Sequence, residues 1–189
     1  MTVRRALLPL LLLAPSALAA QTPQSGQGRL EIVGDAPGAC VVIGPATAGP
    51  ATNASYAAEG PSSGQLRITQ MVTAPDSVSR GATAEFALTV ICNSPHQLVL
   101  RSEKGGMRLD GGGAKAASGP FASVLPYEMR ASWLGEEGSA ASDAGGPLVM
   151  RSNRSGAGQL SLAVVVPQGV RLLAGDYRDS VILEFRAAD

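Results

Sequence analysis

The sequence predicts an all-β protein, an antiparallel β-sandwich of about six or seven strands. Apolar and polar residues alternate with a period of two along several short runs, and segments rich in glycine and proline separate these runs. The chain has 23 glycines and 13 prolines among 189 residues, and 45% of its residues are hydrophobic. This composition favours many short elements, joined by turns, around one packed core.

Each predicted strand follows from an apolar residue at every second position. In "AEFALTVIC" (residues 84–92) this set ends in Cys92, so we expect its sulfur to face the core. Small residues at 44–64 favour a loop or weak edge structure, and residues 103–123 and 135–147 are expected to be glycine-rich loops. The residues expected to face the core are Leu66, Ile68, Phe86, Leu88, Val90, Cys92, Leu98, Leu100, Leu125, Tyr127, Met129, Ala131, Trp133, Leu160, Leu162, Val164, Val166, Val181, Leu183 and Phe185.

The N-terminus is typical of a secretory signal peptide. A basic pair at positions 4 and 5 precedes an apolar run from Ala6 to Pro15, and Ala17 and Ala19 form a small-residue cleavage motif. We expect cleavage after Ala19 or Ala20. The alternative, an uncleaved membrane anchor, requires about 20 apolar residues, and this run is shorter.

The predicted organisation is a signal peptide at 1–19, an N-terminal extension at 20–37 and one domain at 38–189. Removing two arginines with the signal leaves 13 of the 15 basic residues against 15 acidic ones, a formal charge of −2. Such a balance does not favour binding to nucleic acid or to an anionic membrane.

The two cysteines, Cys40 and Cys92, predict one disulfide, because an even count in an exported chain usually means pairing. The closed loop of 52 residues would contribute roughly 4 kcal/mol by chain entropy. Two free buried thiols or a metal pair are the alternatives. Metal binding is the weaker alternative. His96 is the single histidine, and Cys40, Cys92 and His96 do not have the close spacing along the sequence that is typical of metal ligands.

Catalytic chemistry is not expected from this sequence. A nucleophilic triad would need His96, which follows a turn and is expected at the surface or at a loop end. The acidic pairs Glu136/Glu137 and Asp176/Asp179 are candidate acids and bases, but the first lies in a predicted solvated turn. Nucleotide-binding, zinc-protease and hydrolase motifs are missing from the sequence, so neither an enzyme nor a cofactor is predicted.

The C-terminal "LLAGDYRDSVILEF" is more informative. Tyr177 shortly precedes a strand whose Val181, Leu183 and Phe185 are expected to point inward. In immunoglobulin-like sandwiches a tyrosine corner stands at the start of the penultimate strand, F. With Tyr177 in that role the sequence holds no run for strand G. The alternative, a loop tyrosine before a true closing strand, is equally compatible with the motif.

Three segments carry a resemblance to a known family: Cys40 with "VICNSPHQLVL", the "LPYEMRASW" strand, and the "AGDYRD" motif before the last alternating strand. Together they resemble the spore coat protein U domain over roughly residues 38–189. That family includes the archaic (Csu-type) chaperone–usher pilus subunits of Gram-negative bacteria.

The resemblance implies an incomplete immunoglobulin-like β-sandwich that lacks its last strand and is completed by donor-strand complementation, a known form of β-strand addition. It implies as partners a periplasmic pilus chaperone, an outer-membrane usher and neighbouring subunits, with export to the periplasm and then to a surface fibre. The candidate donor strand is 28–36, with Leu30 and Ile32 as apolar side chains and Gly34 at a close approach. Val181, Leu183 and Phe185 would line the acceptor groove.

A second hypothesis remains open from the sequence. The chain could be a self-complete secreted sandwich that binds a carbohydrate or a protein, with residues 28–36 folded beside the last strand of the same chain. An extracellular hydrolase is a distant third.

Overall fold

The computed structural model describes residues 30–60, 62–111 and 119–187. Within these ranges the chain forms fifteen β-strands and no helix, so no helix there has the length and hydrophobicity of a membrane span. The predicted signal peptide, and residues 20–29 of the extension, lie outside the described residues.

The strands are β1 (Cys40–Thr52), β2 (Ala54–Gly60), β3 (Ser63–Ile68), β4 (Val72–Thr73), β5 (Val78–Ser79), β6 (Ala82–Cys92), β7 (His96–Ser102), β8 (Met107–Leu109), β9 (Val124–Leu125), β10 (Glu128–Trp133), β11 (Glu136–Ala141), β12 (Leu148–Ser152), β13 (Gly156–Val166), β14 (Tyr177–Arg178) and β15 (Val181–Ala187).

Two antiparallel sheets enclose the core. The larger has the order β1-β6-β13-β10-β11 and the smaller has the order β12-β7-β15. Apolar side chains from the inner faces of both sheets form one buried cluster. Three small sheets accompany them, with orders β14-β8-β9, β2-β3 and β4-β5. The predicted all-β fold with antiparallel sheets is therefore confirmed, and two sheets that share one core are consistent with a β-sandwich.

Alternating side chains account for the four central strands. Along β6, Ala84, Leu88, Val90 and Cys92 are buried while the residues between them are mostly exposed. The same alternation on β7, β10 and β13 buries every core-facing residue predicted there, which confirms those predictions. β6 pairs with β1 on one side and, over eleven residue pairs, with β13 on the other. The central strands therefore hold the fold together.

The predicted disulfide is present. Cys40 and Cys92 are directly opposite each other in the β1–β6 ladder, with Cα atoms 4.1 Å apart and a sequence separation of 52. The cross-link fixes β1, an edge strand, to β6 at the end of the sheet where the chain enters the domain.

The expectation of loops at 103–123 and 135–147 is wrong where Met107–Leu109 forms β8 and Glu136–Ala141 forms β11 against β10. Residues 44–60, expected to be loop or weak edge structure, continue β1 at the edge of the larger sheet and form β2. Their small residues give little strand signal alone, but pairing with an already ordered neighbour supplies the backbone hydrogen bonds. On β11, a Cβ at Gly138 would lie 2.9 Å from Leu148 Cδ1, so glycine lets β11 approach β12 and closes that side of the sandwich.

The described residues divide into two units, with residues 30–35 in the first and residues 36–187 in the second. The strands described above all belong to the second unit. In the first unit residues 30–35 are described and form no strand.

Replacing both cysteines with serine should reduce stability, because the open chain gains entropy when the 52-residue loop is released. Loss of a native disulfide of this kind costs about 2–5 kcal/mol. We expect Cys40→Ser/Cys92→Ser to lose this amount in the free energy of unfolding, measured by chemical denaturation. Wild-type protein in reducing buffer is the control and should lose a similar amount. Equal stability in oxidising and reducing buffer would contradict the structural role.

Candidate functional site

The outer edge of β15 is the candidate interaction site. β15 pairs with β7 in unbroken register from Val181–Ser102 to Ala187–His96. On its other side, no strand in the described part of the chain pairs with it. Such an edge carries backbone N–H and C=O groups without a strand partner and is a template for another extended chain. β15 contains no proline, so each of its residues retains an N–H group.

The inner face of β15 is only partly covered. Leu183 and Phe185 pack half-buried against the core, as their predicted inward direction requires. Val181 lies on the same face by the two-residue period, yet it is 42% exposed. Its expected burial is not found, because none of the described residues covers the end of the strand where it lies.

Across the core from β15 lies β1, the edge strand of the larger sheet. Cys40 and Val42 are half-buried on its core-facing side. Beyond them, Gly44 with a positive φ of 74° lies in a stretch where the pairing with β6 shifts register. Pro45 and Pro50 remove two N–H groups from this strand, which makes most of its edge a poor template for pairing. The regular free edge on this side of the sandwich is therefore that of β15.

An aromatic cluster lies beneath the end of β15. The ring centroids of Trp133 and His96 are each 6.2 Å from that of Phe185. Trp133 Nε1 donates a hydrogen bond to His96 Nε2 at 2.7 Å, and His96 Nδ1 lies 3.0 Å from Ser94 O. Because an indole N–H can only donate, Nε2 is the acceptor and Nδ1 carries the hydrogen.

His96 follows a turn at a loop end, one of its two expected places, but the structure corrects the other expectation, that it lies at the surface. Its side chain is only 1% exposed at the first position of β7. Burial is tolerated because both ring nitrogens have hydrogen-bond partners, which a solitary histidine in the sequence did not reveal.

The fold also gathers three potential metal ligands that the sequence spacing did not place together. One ligand atom from each of Cys40, Cys92 and His96 lies within 4.8 Å of the others. In this oxidised form both sulfurs belong to the disulfide, and metal binding requires the thiolate. The group is therefore a structural cluster beside the free edge of β15.

Tyr177 ties the approach to β15 back to the preceding chain. Its hydroxyl is 3.1 Å from Leu173 O, four residues upstream, and 2.8 Å from Ala122 O. Burial raises the pKa of Tyr177, so the phenol keeps the proton with which it donates. One side chain thus ties the approach to β15 to Leu173, just upstream, and to Ala122, which lies next to β9.

Asp179 is the polar centre at the start of β15. Its Oδ2 accepts hydrogen bonds from Ser102 Oγ at 2.5 Å and from Tyr127 OH at 2.7 Å. Its Oδ1 accepts from the backbone N–H groups of Lys104 at 2.9 Å and Ser180 at 2.8 Å. One carboxylate therefore joins β15 to the end of β7 and to the residue preceding β10.

These contacts change the acidity of the groups involved. Burial alone would raise the pKa of Asp179, but hydrogen bonds from Ser102, Tyr127 and two backbone amides outweigh burial and hold it below its ordinary value. The pKa of Tyr127 is raised, first by burial and then by the hydrogen bond to Asp179. The pair is therefore a carboxylate that accepts and a phenol that donates.

The sequence suggested Asp179 only as one member of a candidate acid–base pair with Asp176. None of the Asp179 hydrogen bonds involves Asp176, whose backbone carbonyl accepts instead from Asp110 N at 2.7 Å. Ser102 and Tyr127 were not predicted as partners of Asp179. The available signal was a carboxylate two residues after Tyr177 and two residues before the strand, a position typical of a side chain that bonds nearby backbone N–H groups.

The residues predicted to form a donor strand are exposed. Leu30 and Ile32 are 84% and 87% exposed and lie in no strand. A Cβ at Gly34 would have no neighbour within 4 Å. Positions 28 and 29 lie outside the described residues.

A comparison of the chain with known protein-family models finds no match, and a comparison with curated protein sequences finds none either.

Removing the Asp179 carboxylate should destabilise the domain. Asp179→Ala leaves the buried Tyr127 hydroxyl without its partner, and an unsatisfied buried donor costs about 1–3 kcal/mol. We expect that loss in the free energy of unfolding at pH 7, measured by urea denaturation. Asp143→Ala, at an exposed aspartate in a turn, is the matched control and should change stability little.

The same interaction predicts a pH dependence. Because the folded-state pKa of Asp179 is lowered, its stabilisation is complete above about pH 4 and is lost as the pH falls through the folded-state value. The stability difference between wild type and Asp179→Asn should therefore shrink below about pH 4. A difference that stays constant down to pH 2 would contradict the assignment.

Tyr177→Phe should remove one hydroxyl and its bonds to two backbone carbonyls while keeping the ring. We expect a loss of about 0.5–1.5 kcal/mol in the free energy of unfolding, the usual net value of such a bond. Tyr56→Phe is the control, because the Tyr56 ring packs on Phe86 in a similar half-buried setting. If Tyr177→Phe and Tyr56→Phe change the free energy of unfolding equally, the Tyr177 hydroxyl does not stabilise the fold through its bonds to the backbone.

Proposed function

We propose that this chain is an exported subunit of a chaperone–usher type surface fibre, similar to spore coat protein U domains. In this proposal the subunits polymerise when residues 28–36 of one copy add as a strand to β15 of another. The observation that carries the proposal is the regular free edge of β15 next to half-buried apolar side chains.

The order of the strands supports an immunoglobulin-like sandwich with one position empty. Seven-stranded immunoglobulin domains have strands A, B, E and D in one sheet and C, F and G in the other. The order β1-β6-β13-β10 corresponds to A-B-E-D, and β7-β15 corresponds to C-F. Strand G would lie beside F, which is the side on which β15 has no strand partner among the described residues.

Tyr177 supports the same alignment. In a tyrosine corner the hydroxyl bonds to the backbone a few residues upstream, at the entry to strand F. The bond from Tyr177 to Leu173 O, just before β15, has this form. With β15 as strand F, the tyrosine fixes the strand that would accept the partner.

The energetics favour addition of a strand at this edge. Each new backbone hydrogen bond contributes about 0.5–1.5 kcal/mol net. Each fully buried aliphatic side chain contributes about 1.5–3 kcal/mol more. Leu30 and Ile32 lie on one face of an extended segment and are available, since both are exposed. Nine extended residues, 28–36, span about 30 Å, which exceeds the roughly 23 Å length of β15.

A free edge of this kind also explains the proposed partners. Until the next subunit arrives, an uncovered edge and its apolar strip invite aggregation. A periplasmic chaperone that lends a strand would protect them, and an outer-membrane usher would exchange that strand for the next subunit. The protein would then act as a structural component rather than an enzyme, consistent with a single histidine whose two ring nitrogens are both occupied.

The proposal is tested by placing a charge on each side of the predicted contact. Leu30→Asp/Ile32→Asp should abolish fibres, because two carboxylates would be buried against the core. Val33→Asp is the matched control, since alternation places residue 33 on the solvent side of the added strand. The variants are produced in a bacterial periplasm with the chaperone encoded beside the gene, and fibres are counted by electron microscopy.

The two faces of the contact should respond differently. Val181→Asp alters the acceptor edge and should also block assembly while changing the fold little, because Val181 is exposed. The variants at positions 30, 32 and 33 should still be recovered in complex with the chaperone, because residues 28–36 serve only as donor. Val181→Asp should weaken that complex as well, because the chaperone strand occupies the same edge of β15. Fibres formed by Leu30→Asp/Ile32→Asp at the wild-type level would refute these residues as the donor.

A further inference from the structure

Asn93 fastens the root of the N-terminal extension to the domain. Its backbone N–H donates to Ala39 O at 3.0 Å, and its Oδ1 accepts from Ala39 N at 2.7 Å. Its Nδ2 donates to Pro37 O at 3.0 Å. One turn residue between β6 and β7 therefore holds residues 37–39, which lie before β1, at three points. We call these contacts the Asn93 latch.

The latch lies at the end of the free edge of β15. A Cβ at Gly38 would lie 2.8 Å from Ser94 Oγ and 3.4 Å from Ala187 Cβ, so the chain passes closely over the last described residue of β15. Ser94 Oγ is buried at this crossing without a hydrogen-bond partner among the described residues. The side chain of Asn93 is exposed, so the latch directs the chain more than it stabilises the core.

We propose that the Asn93 latch sets the spacing and stiffness of the junction between successive subunits; this rests on the proposed strand exchange. Asp35 and Ala36 alone separate Gly34, the last predicted contact position of the donor strand, from the latched Pro37. Three residue steps span at most about 11 Å. The domain that donates the strand must therefore lie directly against the domain that accepts it.

Release of the latch would lengthen this junction. Without the Asn93 side chain, the first fixed point of the chain is Ala39, which the backbone N–H of residue 93 still holds, and the five steps from Gly34 reach about 18 Å. A connection more than half as long again lets neighbouring domains swing. The latch thereby affects the mechanics of the fibre while the donor and acceptor surfaces stay the same.

The test compares fibres of the full chain that carry Asn93→Ala or Gly38→Ala with wild-type fibres. Asn153→Ala, at an exposed asparagine in another turn, is the matched control. We expect the persistence length, measured by electron microscopy, to fall at least twofold in both latch variants and to stay unchanged in the control. Amide hydrogen exchange at Ala39 should accelerate at least tenfold in Asn93→Ala, which reports the latch independently of assembly.

The possible outcomes separate the two proposals. Wild-type fibres together with equally stiff Asn93→Ala fibres would overturn the latch and leave strand exchange in place. Absence of wild-type fibres under conditions that release the chaperone would overturn strand exchange and the latch with it. A shorter persistence length together with an unchanged melting temperature in Asn93→Ala would support the latch. A merely structural role of Asn93 would lower the melting temperature as well as the persistence length.

Discussion

Backbone hydrogen bonding at β15 is the constraint on which the rest of the structure depends. One edge of this strand is satisfied by β7, and the other has no strand partner in the described ranges. Unpaired backbone groups next to a half-buried apolar strip carry a free-energy cost, which water meets only in part. Another extended segment would remove that cost. The proposed function follows from this imbalance rather than from a catalytic pocket.

The start of β15 is held by side chains and its end by pairing with β7, so the strand is in place before any partner arrives. At its start, Asp179 binds Ser102 and Tyr127, and Tyr177 ties the approaching chain to upstream carbonyls. At its other end, Asn93 holds residues 37–39 beside Ala187. An edge that is already ordered binds an added strand at a lower entropic cost than a loose one.

Sequence periodicity predicted the central strands because large apolar residues alternate there with polar or small ones. One face of each strand packs in the core, and the other face is more exposed. It did not predict β11 or the continuation of β1, since Gly138 and the small residues at 44–52 become strand only through pairing with β10 and β6. The disulfide could be predicted from the count of cysteines. The bonds of His96 to Trp133 and of Asp179 to Tyr127 and Ser102 could not, because they join residues 37 to 77 positions apart that only the fold brings together.

The most direct test of the central claim is the thermal unfolding of the 38–189 domain with and without a synthetic peptide of residues 28–36. Saturation at 100 times the dissociation constant should add about 2.7 kcal/mol, which corresponds to roughly 5–10 °C for a domain of this size. The account predicts a poorly stable domain alone, this rise with the natural peptide, and none with a peptide carrying Leu30→Asp and Ile32→Asp. A 38–189 domain that unfolds cooperatively at the temperature of the full chain, and does not respond to the peptide, would contradict it.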